Sequence, residues 1–379
     1  MNGKQNWKLA AALVAACGAA ASAGGTDAGS GEELATDGGA SRSSGMVAAV
    51  TAAFRLPGLL SITTDNAQQQ IEVTVGPTPG EVRVSGVSTI PSDFVFTDVT
   101  AIELTTGSAN DFVEFRLQAP ILPTVSIDTR GGESDVKVIY QINATPEFVA
   151  SSVSVLGGPV LDKVAFEVFS EAAGFSADWS VNHGAGNNEA SANVQQNAAS
   201  ELLSLNFNGA FDRGTDKVAF SVISNAAVSS VNLGGTMGAG HDSALLVIET
   251  LSPAMNSASF NLDLGGGNDV AETLFVSRGG VFNTAGWISG GFGLDSIKLN
   301  LEGDGRIDTQ FAGGGGADVL DMALKGAIDG LPRLLGDGGN DILKLVVDGP
   351  RLVTPFIDGG AGFDEAIGFG TIINVEKIN

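Results

Sequence analysis

Five glycine-rich turns, each closed by an aspartate, recur near the C-terminal end of the sequence. Their aspartates are Asp269, Asp295, Asp318, Asp341 and Asp364, which lie 26, 23, 23 and 23 residues apart. Glycine lets the backbone turn tightly with its carbonyl oxygens exposed, and each aspartate adds an anionic oxygen beside them. A hard cation such as Ca²⁺ takes about six to eight oxygen ligands, carboxylate and carbonyl together. One turn offers part of that set, so these residues predict calcium binding where two turns lie against each other.

The five turns resemble the nonapeptide G-G-x-G-x-D-x-apolar-x of the repeats-in-toxin, or haemolysin-type calcium-binding, family. GGFGLDSIK (290–298) and GGGGADVLD (313–321) match every fixed position, and GGAGFDEAI (359–367) matches with alanine at the apolar position. GDGGNDILK (336–344) has an aspartate in place of the second glycine, and LGGGNDVAE (264–272) lacks the first glycine.

The resemblance implies that the glycine carbonyls and the aspartate of one turn share calcium with the stacked turn of the next coil. The tandem form of the family has a glycine turn about every nine residues. Here one turn occurs per 23 to 27 residues, which implies at most one calcium edge. The metal ligands that the resemblance implies are Gly265, Gly267, Asp269, Gly290, Gly291, Gly293, Asp295, Gly313, Gly314, Gly316, Asp318, Gly336, Asp337, Gly339, Asp341, Gly359, Gly360, Gly362 and Asp364.

Strands must position these turns. An alternation of apolar and polar residues with a period of two, the signal of a β-strand, begins at Ser61 and continues between the turns. The same pattern of strand, turn and acidic or amide residue is present upstream in degenerate form, at Asp111, Asp135, Asp162, Asn188 with Glu189, Asp216 and Asp242. A repeat of this length is typical of a solenoid, in which stacked coils bury one continuous core.

The fold predicted from this repeat is all-β, a parallel β-helix or β-roll-like solenoid of about twelve coils. It is expected to occupy residues 61–379 as one elongated domain, with a thin aliphatic core. The segment TIINVEKIN (371–379) has no further glycine turn and is expected to be a closing strand.

The N-terminal residues predict export. Lys4 and Lys8 precede the apolar run LAAALVAACGAAASA, which is too short to span a bilayer and ends in small residues, as in a signal peptide. Two cleavage sites compete. The sequence VAAC resembles a bacterial lipobox, which implies a signal of residues 1–16 and a lipid on Cys17. The sequence ASA fits an ordinary signal-peptidase site, which implies a signal of residues 1–23.

Two further segments precede the repeats. Residues 17–45 have almost no large apolar side chain, so they cannot bury enough surface to offset the entropy of ordering and are predicted to be a flexible tether. Residues 46–60 are predicted to cap the open first coil, either as a short helix that stops before Pro57 or as a first strand.

The chain is strongly acidic, with a formal net charge of −24 at pH 7. Such a charge repels nucleic acid and anionic membrane surfaces, so no nucleic-acid partner is predicted, and membrane contact is predicted only through the lipid anchor. Aspartates stacked one coil apart also repel each other unless a counter-charge lies between them, a role that divalent cations would fill. Cys17 is the only cysteine, which excludes internal disulfides.

No motif predicts catalysis, because G-x-S-x-G, H-E-x-x-H and P-loop sequences are absent. The two histidines, His183 and His241, lie in glycine turns and are expected to be exposed. Trp179 and Trp287 are expected to pack in the core or on the surface rather than against sugars. A β-helix enzyme acting on polysaccharides would need two or three convergent carboxylates with Arg or Lys, in a groove away from the turn edge.

These observations predict an exported calcium-binding β-solenoid with a structural or adhesive role at the bacterial cell surface. The lipobox predicts an outer-membrane or cell-surface lipoprotein, and ordinary cleavage predicts a secreted or periplasmic protein. Besides calcium, the expected partner is a cell-surface polysaccharide or a protein. The alternative is a carbohydrate-active β-helix enzyme, a polysaccharide lyase or hydrolase that uses calcium.

Overall fold

The computed structural model describes residues 50–86, 95–129, 131–197, 201–252 and 255–379. Residues 48–379 form one compact unit. The predicted signal peptide, the tether and the lipidation at Cys17 lie outside the described residues, as do residues 46–49 of the predicted cap. Every regular element in the described part of the chain is a β-strand, and that part holds no helix able to cross a membrane.

A β-hairpin begins the described chain. Strand β1 (Val50–Leu56) pairs antiparallel with β2 (Leu59–Thr64) across a turn in which Gly58 has a φ of 79°. The described residues of the predicted cap therefore form strands and not a helix. The next three strands, β3 (Gln70–Val75), β4 (Val82–Ser85) and β5 (Val95–Phe96), also pair antiparallel. These strands lie at the N-terminal end of the parallel stack that follows.

The regular coils come next, and each contributes one strand to each of two parallel sheets. The strands are β6 (Ala101–Thr105), β7 (Asp111–Leu117), β8 (Thr124–Asp128), β9 (Ser134–Ile142), β10 (Phe148–Leu156), β11 (Asp162–Ser170), β12 (Gly174–Asn182), β13 (Glu189–Gln196), β14 (Leu202–Ala210), β15 (Lys217–Ser224), β16 (Val228–Thr236), β17 (Ser243–Thr250) and β18 (Met255–Asp263). Strands β6 to β18 with even numbers pair with one another, and we call this the even sheet. Strands β7 to β17 with odd numbers pair in the odd sheet.

The C-terminal coils are shorter, and their strands are divided differently. Strands β19 and β20 each run through both sheets, and the later coils are divided into short strands. The bounds are β19 (Val270–Phe292), β20 (Ser296–Gly315), β21 (Val319–Lys325), β22 (Ile328–Gly330), β23 (Arg333–Gly339), β24 (Ile342–Asp348), β25 (Arg351–Val353), β26 (Phe356–Asp358), β27 (Ala361–Gly362), β28 (Glu365–Ile367), β29 (Thr371–Ile373) and β30 (Lys377–Ile378). Strands β29 and β30 pair with the preceding coil and close the stack, as predicted for residues 371–379. The predicted all-β parallel solenoid is confirmed.

The core lies between the two sheets and consists of the inward residues of each strand, mostly Val, Ile, Leu and Phe. Its largest member, Trp179, is 2% exposed, stacks on Phe166 with ring centroids 4.4 Å apart, and donates from Nε1 to the Tyr140 hydroxyl at 3.0 Å. Each buried aliphatic or aromatic side chain contributes about 1.5–3 kcal/mol. Because a single coil cannot cover its own apolar face, this stabilisation depends on the stacking of neighbouring coils.

Candidate functional site

One buried position per coil stacks along a single edge of the solenoid, at the start of the odd-sheet strand or one residue before it. We call this set the aspartate column, and its members are Asp111, Ser134, Asp162, Asn188, Asp216, Asp242, Asp269, Asp295, Asp318, Asp341 and Asp364. Each member is at most 4% exposed. The five aspartates of the glycine turns therefore lie over one another, as the sequence predicts. The solenoid has about ten turns, somewhat fewer than the predicted twelve.

Carboxylate-to-amide hydrogen bonds join successive members of the column. The backbone amide of one residue donates to Oδ1 of the aspartate one coil further along, at 2.8 Å for Asp269 to Asp295 and for Asp295 to Asp318. The same bond is formed at 2.7 or 2.8 Å by the amides of Asn188, Asp216, Asp242, Asp318 and Asp341. The series ends where the Asp364 amide donates to Oε2 of Glu376 at 2.7 Å. Hydrogen bonds to a carboxylate are roughly twice as strong as neutral ones, so these bonds fix the register of the coils.

The stacking of the coils itself accounts for the glycine positions of the motif. The fourth position needs glycine because Gly316 has a φ of 150° and a Cβ there would lie 1.4 Å from the Gly293 carbonyl oxygen. The second position is left-handed, with a φ of 97° at Gly314, and Asp337 adopts a φ of 65° where it replaces that glycine. At the first position, a Cβ on Gly290 would lie 2.5 Å from Oδ2 of Asp295. The motif therefore has a structural basis in the fold alone.

The second carboxylate oxygen has no comparable partner in most of the column aspartates. Oδ2 is buried and accepts no hydrogen bond from the described residues at Asp242, Asp269, Asp295, Asp318, Asp341 and Asp364. Asp162 differs, because its Oδ2 accepts from the Gly158 amide at 2.7 Å. A buried ionised group without full hydrogen bonding is costly, so these oxygens favour either a bound proton or a bound cation.

Burial shifts the pKa of these carboxyl groups upward. It raises the pKa of Asp242 to about 7, an effect that the amide of Asp216 opposes and that the carboxylates of Asp269 and Asp216 reinforce. The pKa values of Asp269, Asp318 and Asp341 rise to about 6 for the same reasons, again with burial as the main cause. Burial also raises the pKa values of Asp111, Asp216 and Asp295.

In the four C-terminal turns, the unpartnered oxygen faces another acceptor. Oδ2 of Asp295 and the carbonyl oxygen of Gly313, in the next coil, each lie 2.5 Å from the place where a Cβ on Gly290 would stand, so they are at most twice that distance apart. The same arrangement joins Oδ2 of an aspartate to a next-coil carbonyl at Asp318 with Gly336, Asp341 with Gly359, and Asp364 with Asn374. Two acceptors cannot hydrogen-bond to each other, so only a proton, a donor or a cation could join them.

Asn188 has an amide side chain in place of a carboxylate, and it supplies its own hydrogen-bond donor. Its Oδ1 accepts from the Asp162 amide at 3.1 Å, as an aspartate would. Its Nδ2 donates to the carbonyls of Gly184 and Gly186 at 3.1 and 3.2 Å. Backbone carbonyls therefore surround this end of the side chain. In this coil a neutral donor stands where the other coils have an acceptor oxygen.

The structure corrects two predictions about the upstream repeats. Ser134, not Asp135, occupies the column, and Asp135 is exposed because it is one residue further along the strand. Glu189 likewise follows the column residue Asn188 and is half-buried on the outer side. Glu376, whose carboxylate closes the column, was missed because no glycine turn precedes it. The only signal for it is the acidic residue in the closing segment.

The expectation of two exposed histidines is wrong for His183. That side chain is 2% exposed and lies five residues before the column, where later coils have Phe211, Met237 and Leu264. Neither ring nitrogen has a hydrogen-bond partner among the described residues, and Nδ1 lies 3.7 Å from Oδ2 of Asp162. His241 is exposed as expected, and its Nδ1 accepts from the Asn268 amide at 2.9 Å.

Within the described residues, no three His, Cys, Asp or Glu side chains converge as a metal cluster. A cation in the column would therefore need backbone carbonyl ligands, as the predicted ligand set assumes. No known protein family, characterised protein or solved structure matches the chain in comparison. The functional argument consequently rests on the geometry of the aspartate column and of the surfaces around it.

Proposed function

We propose that the chain is an exported calcium-binding β-solenoid with a structural or adhesive role at the bacterial cell surface. The observation that supports calcium most directly is the unpartnered Oδ2 of Asp295, Asp318, Asp341 and Asp364, each on the same side of a glycine as a next-coil carbonyl oxygen. An ion between the two oxygens would form two metal–oxygen bonds, which for calcium are about 2.3–2.6 Å long.

The glycine turns supply further oxygens for such an ion. In the Asn188 coil, the side-chain amide donates to carbonyls four and two residues earlier in the chain. The corresponding residues for Asp295 are Gly291 and Gly293. Together with Oδ2 and the next-coil carbonyl of Gly313, these carbonyls would give an all-oxygen set that suits a hard cation such as calcium.

Electrostatics supports the same proposal. Most members of the column are carboxylates, their neighbours along the stack raise the pKa of Asp242, Asp318 and Asp341, and the whole chain carries a formal charge of −24. Above neutral pH these groups ionise, and divalent cations relieve the repulsion between layers. Because the layers exist only in the folded chain, calcium would stabilise it by mass action.

Calorimetric titration tests the calcium proposal. We expect Ca²⁺ to give a heat of binding and Mg²⁺ to give a smaller one, because Mg²⁺ demands shorter bonds and near-octahedral geometry. We also expect the melting temperature to fall when a chelator is added. The combined Asp295→Asn, Asp318→Asn and Asp341→Asn variant is expected to lose most of the heat. Absence of calcium heat at millimolar concentration in the unaltered chain would refute calcium binding.

The surface location has a separate test. Expression in a bacterium with metabolic labelling by a fatty acid should place lipid on the chain, and Cys17→Ser should abolish the label while export continues. A mature N-terminus after residue 23, without lipid, would favour the secreted or periplasmic form instead.

The enzyme alternative has less support from the described surface. A groove of about 470 Å³ beside Trp287 contains Arg306 and Arg333 but a single carboxylate, Asp308. Another groove contains Glu133 and Asp135 with Lys163, but it lies at the turn edge beside the column. Neither groove places two or three carboxylates away from that edge.

A further inference from the structure

On five successive coils, the central rows of the outer face of the even sheet are almost free of charge. We call these rows the Ser/Asn face, and its residues are Ala150, Ser152 and Ser154 on β10, Ser176, Asp178 and Ser180 on β12, Ser204, Asn206 and Asn208 on β14, Ser230, Asn232 and Gly234 on β16, and Ser257, Ser259 and Asn261 on β18. All are exposed or half-buried. Asp178 is the one charged residue among them.

The odd sheet is different. Its outer face carries ion pairs from coil to coil, such as Lys298 with Glu272 at 3.3 Å and Lys344 with Asp321 at 2.8 Å. Surface pairs of this kind contribute little stability, but they show that charge is readily accommodated on the outside of the coils. In a chain with a formal charge of −24, a neutral face across five coils therefore calls for its own explanation.

The hydrogen-bonding groups of the Ser/Asn face are largely unused by the protein. Asn206 donates to Asp178 at 3.0 Å, but the side chains of Asn208, Asn232 and Asn261 form no hydrogen bond with the described residues. Hydroxyl and amide groups both donate and accept, and here they repeat at the strand spacing of about 4.8 Å on a rigid sheet. This arrangement suits a polymer that offers donors and acceptors at regular intervals.

An exposed tryptophan extends the face by one coil. Trp287 follows Asn261 in register and precedes Gln310, and its side chain is 40% exposed. It has no ring contact or hydrogen bond with the described residues, in contrast to the stacked and buried Trp179. Its ring borders the groove of about 470 Å³ that also contains Arg306 and Asp308. An exposed aromatic ring beside polar groups offers an apolar face next to hydrogen-bonding groups, which suits a ligand that has both apolar and polar parts.

We propose that the Ser/Asn face and Trp287 together bind a neutral polysaccharide, laid across the coils with one sugar ring stacked on the indole. Sugar hydroxyls match groups that both donate and accept, and the C–H face of a pyranose ring matches an aromatic platform. Nucleic acid would need clustered cations, which the Ser/Asn face lacks. A protein partner would be expected to meet large apolar or aromatic side chains at the centre, and the Ser/Asn face has none. This inference rests on the adhesive half of the proposed function and is independent of calcium.

Tryptophan fluorescence gives a direct measurement of sugar binding at Trp287, because a processed chain that has lost Trp7 retains only Trp179 and Trp287. The probes are cellohexaose and chitohexaose as neutral sugars and polygalacturonate as an acidic one. We expect a neutral oligosaccharide to change the emission of the unaltered chain, and Trp287→Phe to remove that change because Trp179 is buried. Retention on insoluble cellulose or chitin measures the same binding without fluorescence.

Two variants test whether sugar binding depends on the Ser/Asn face or on the surface charge of the protein in general. Asn232→Asp places a charge in the middle of the Ser/Asn face and is expected to weaken binding at least about tenfold, a loss of roughly 1.4 kcal/mol. Asn193→Asp makes the same change on the exposed side of β13, in the odd sheet, and is expected to leave binding unaltered. Trp287→Ala is expected to weaken binding at least as much as Asn232→Asp.

Several outcomes would overturn the proposal: no retention on either neutral polymer, preference for polygalacturonate, or equal weakening by Asn232→Asp and Asn193→Asp. Calcium titration on the same samples keeps the two proposals apart. Loss of sugar binding with normal calcium heat contradicts only the polysaccharide surface. Sugar binding without calcium heat contradicts only the calcium column.

Discussion

The backbone amide of Asp295 donates to Oδ1 of Asp318 at 2.8 Å, whereas Oδ2 of the same Asp318 side chain has no hydrogen-bond partner among the described residues. The two oxygens of one carboxylate thus have different roles. Oδ1 fixes the register of neighbouring coils through a charge-assisted bond. Oδ2 is an unpaired acceptor that a proton, a hydrogen-bond donor or a cation would satisfy, and each of these can be supplied experimentally.

Replacing a column carboxylate by its amide supplies a donor. Asp318→Asn keeps an oxygen for the Asp295 amide and places an NH₂ group where Oδ2 now faces carbonyls, as Asn188 does naturally. We expect the ion-free variant to be more stable than the unaltered chain at about pH 7.5, by roughly 1 kcal/mol, and to gain less from calcium. Melting curves with chelator and with calcium measure both effects.

Asp348→Asn is the matched control, because it removes the same charge from an exposed position at the end of β24. It should change neither the ion-free stability nor the calcium response appreciably. An Asp318→Asn variant that is less stable without ions, yet gains as much from calcium as the unaltered chain, would show that Oδ2 is not a ligand.

A proton is the second way to satisfy the column, and it gives the ion-free chain a characteristic pH dependence. The folded pKa values of Asp242, Asp269, Asp318 and Asp341 are about 6 to 7, above the ordinary aspartate value of 3.8. Between these values the folded chain binds more protons than the unfolded chain, so this contribution to stability is full below about pH 4 and is lost as the pH rises through 6 to 7.

With chelator present, we therefore expect the melting temperature to fall between about pH 5 and pH 8. Calcium should oppose the fall most strongly at the upper end, where the carboxylates are ionised and free to bind it. The combined Asp318→Asn and Asp341→Asn variant should show a shallower fall. A melting temperature that rises over this range in the ion-free chain would contradict buried, proton-binding carboxyl groups.

The sequence predicts which residue belongs to the aspartate column where glycines mark the turn. Where those glycines are missing, the sequence does not identify the column residue. The five C-terminal turns were located correctly because the positive φ of residues such as Gly316 leaves little choice of side chain. Upstream, a one-residue shift between Ser134 and Asp135 escaped detection, since both residues are polar and only the strand register decides which one faces inward. The burial of His183 was missed for a related reason. The position five residues before the column is buried or half-buried, and its occupants include threonine, glycine, histidine and phenylalanine.

The reverse substitution at Asn188 extends the acidic column. Asn188→Asp would exchange the two hydrogen bonds to Gly184 and Gly186 for a buried, unpartnered oxygen, with Asp162 and Asp216 in the neighbouring coils. We expect a loss of about 2 kcal/mol or more at pH 7.5 without ions, and a smaller loss at pH 5, where the new carboxyl group can be protonated. Denaturant titration at the two pH values tests this.

For Asn188→Asp the control is Asn193→Asp, an exposed change five residues later that adds the same charge. It should cost less than about 0.5 kcal/mol at either pH. Equal stability of the two variants at pH 7.5 would mean that water or neighbouring groups satisfy a carboxylate at residue 188.

The fourth-position glycines offer the sharpest test of the stacked geometry itself, because two neighbouring glycines in one turn differ in what surrounds them. A methyl group on Gly316 would meet the Gly293 carbonyl oxygen at 1.4 Å, at a φ of 150° that residues with a side chain avoid. A methyl group on Gly315 would first meet the Phe292 ring at 3.2 Å, and that ring is 80% exposed and free to move aside. We expect Gly316→Ala to lose at least about 3 kcal/mol of stability and Gly315→Ala less than about 1 kcal/mol, both measured by denaturant unfolding with chelator present.

The same pair of variants is expected to differ in calcium binding. The carbonyl of the neighbouring coil cannot move away without breaking the amide-to-Oδ1 bonds of the column. Gly316→Ala should therefore also lower the heat of calcium binding, whereas Gly315→Ala should not. If the two variants unfold at the same denaturant concentration, the coils do not stack at the spacing described here.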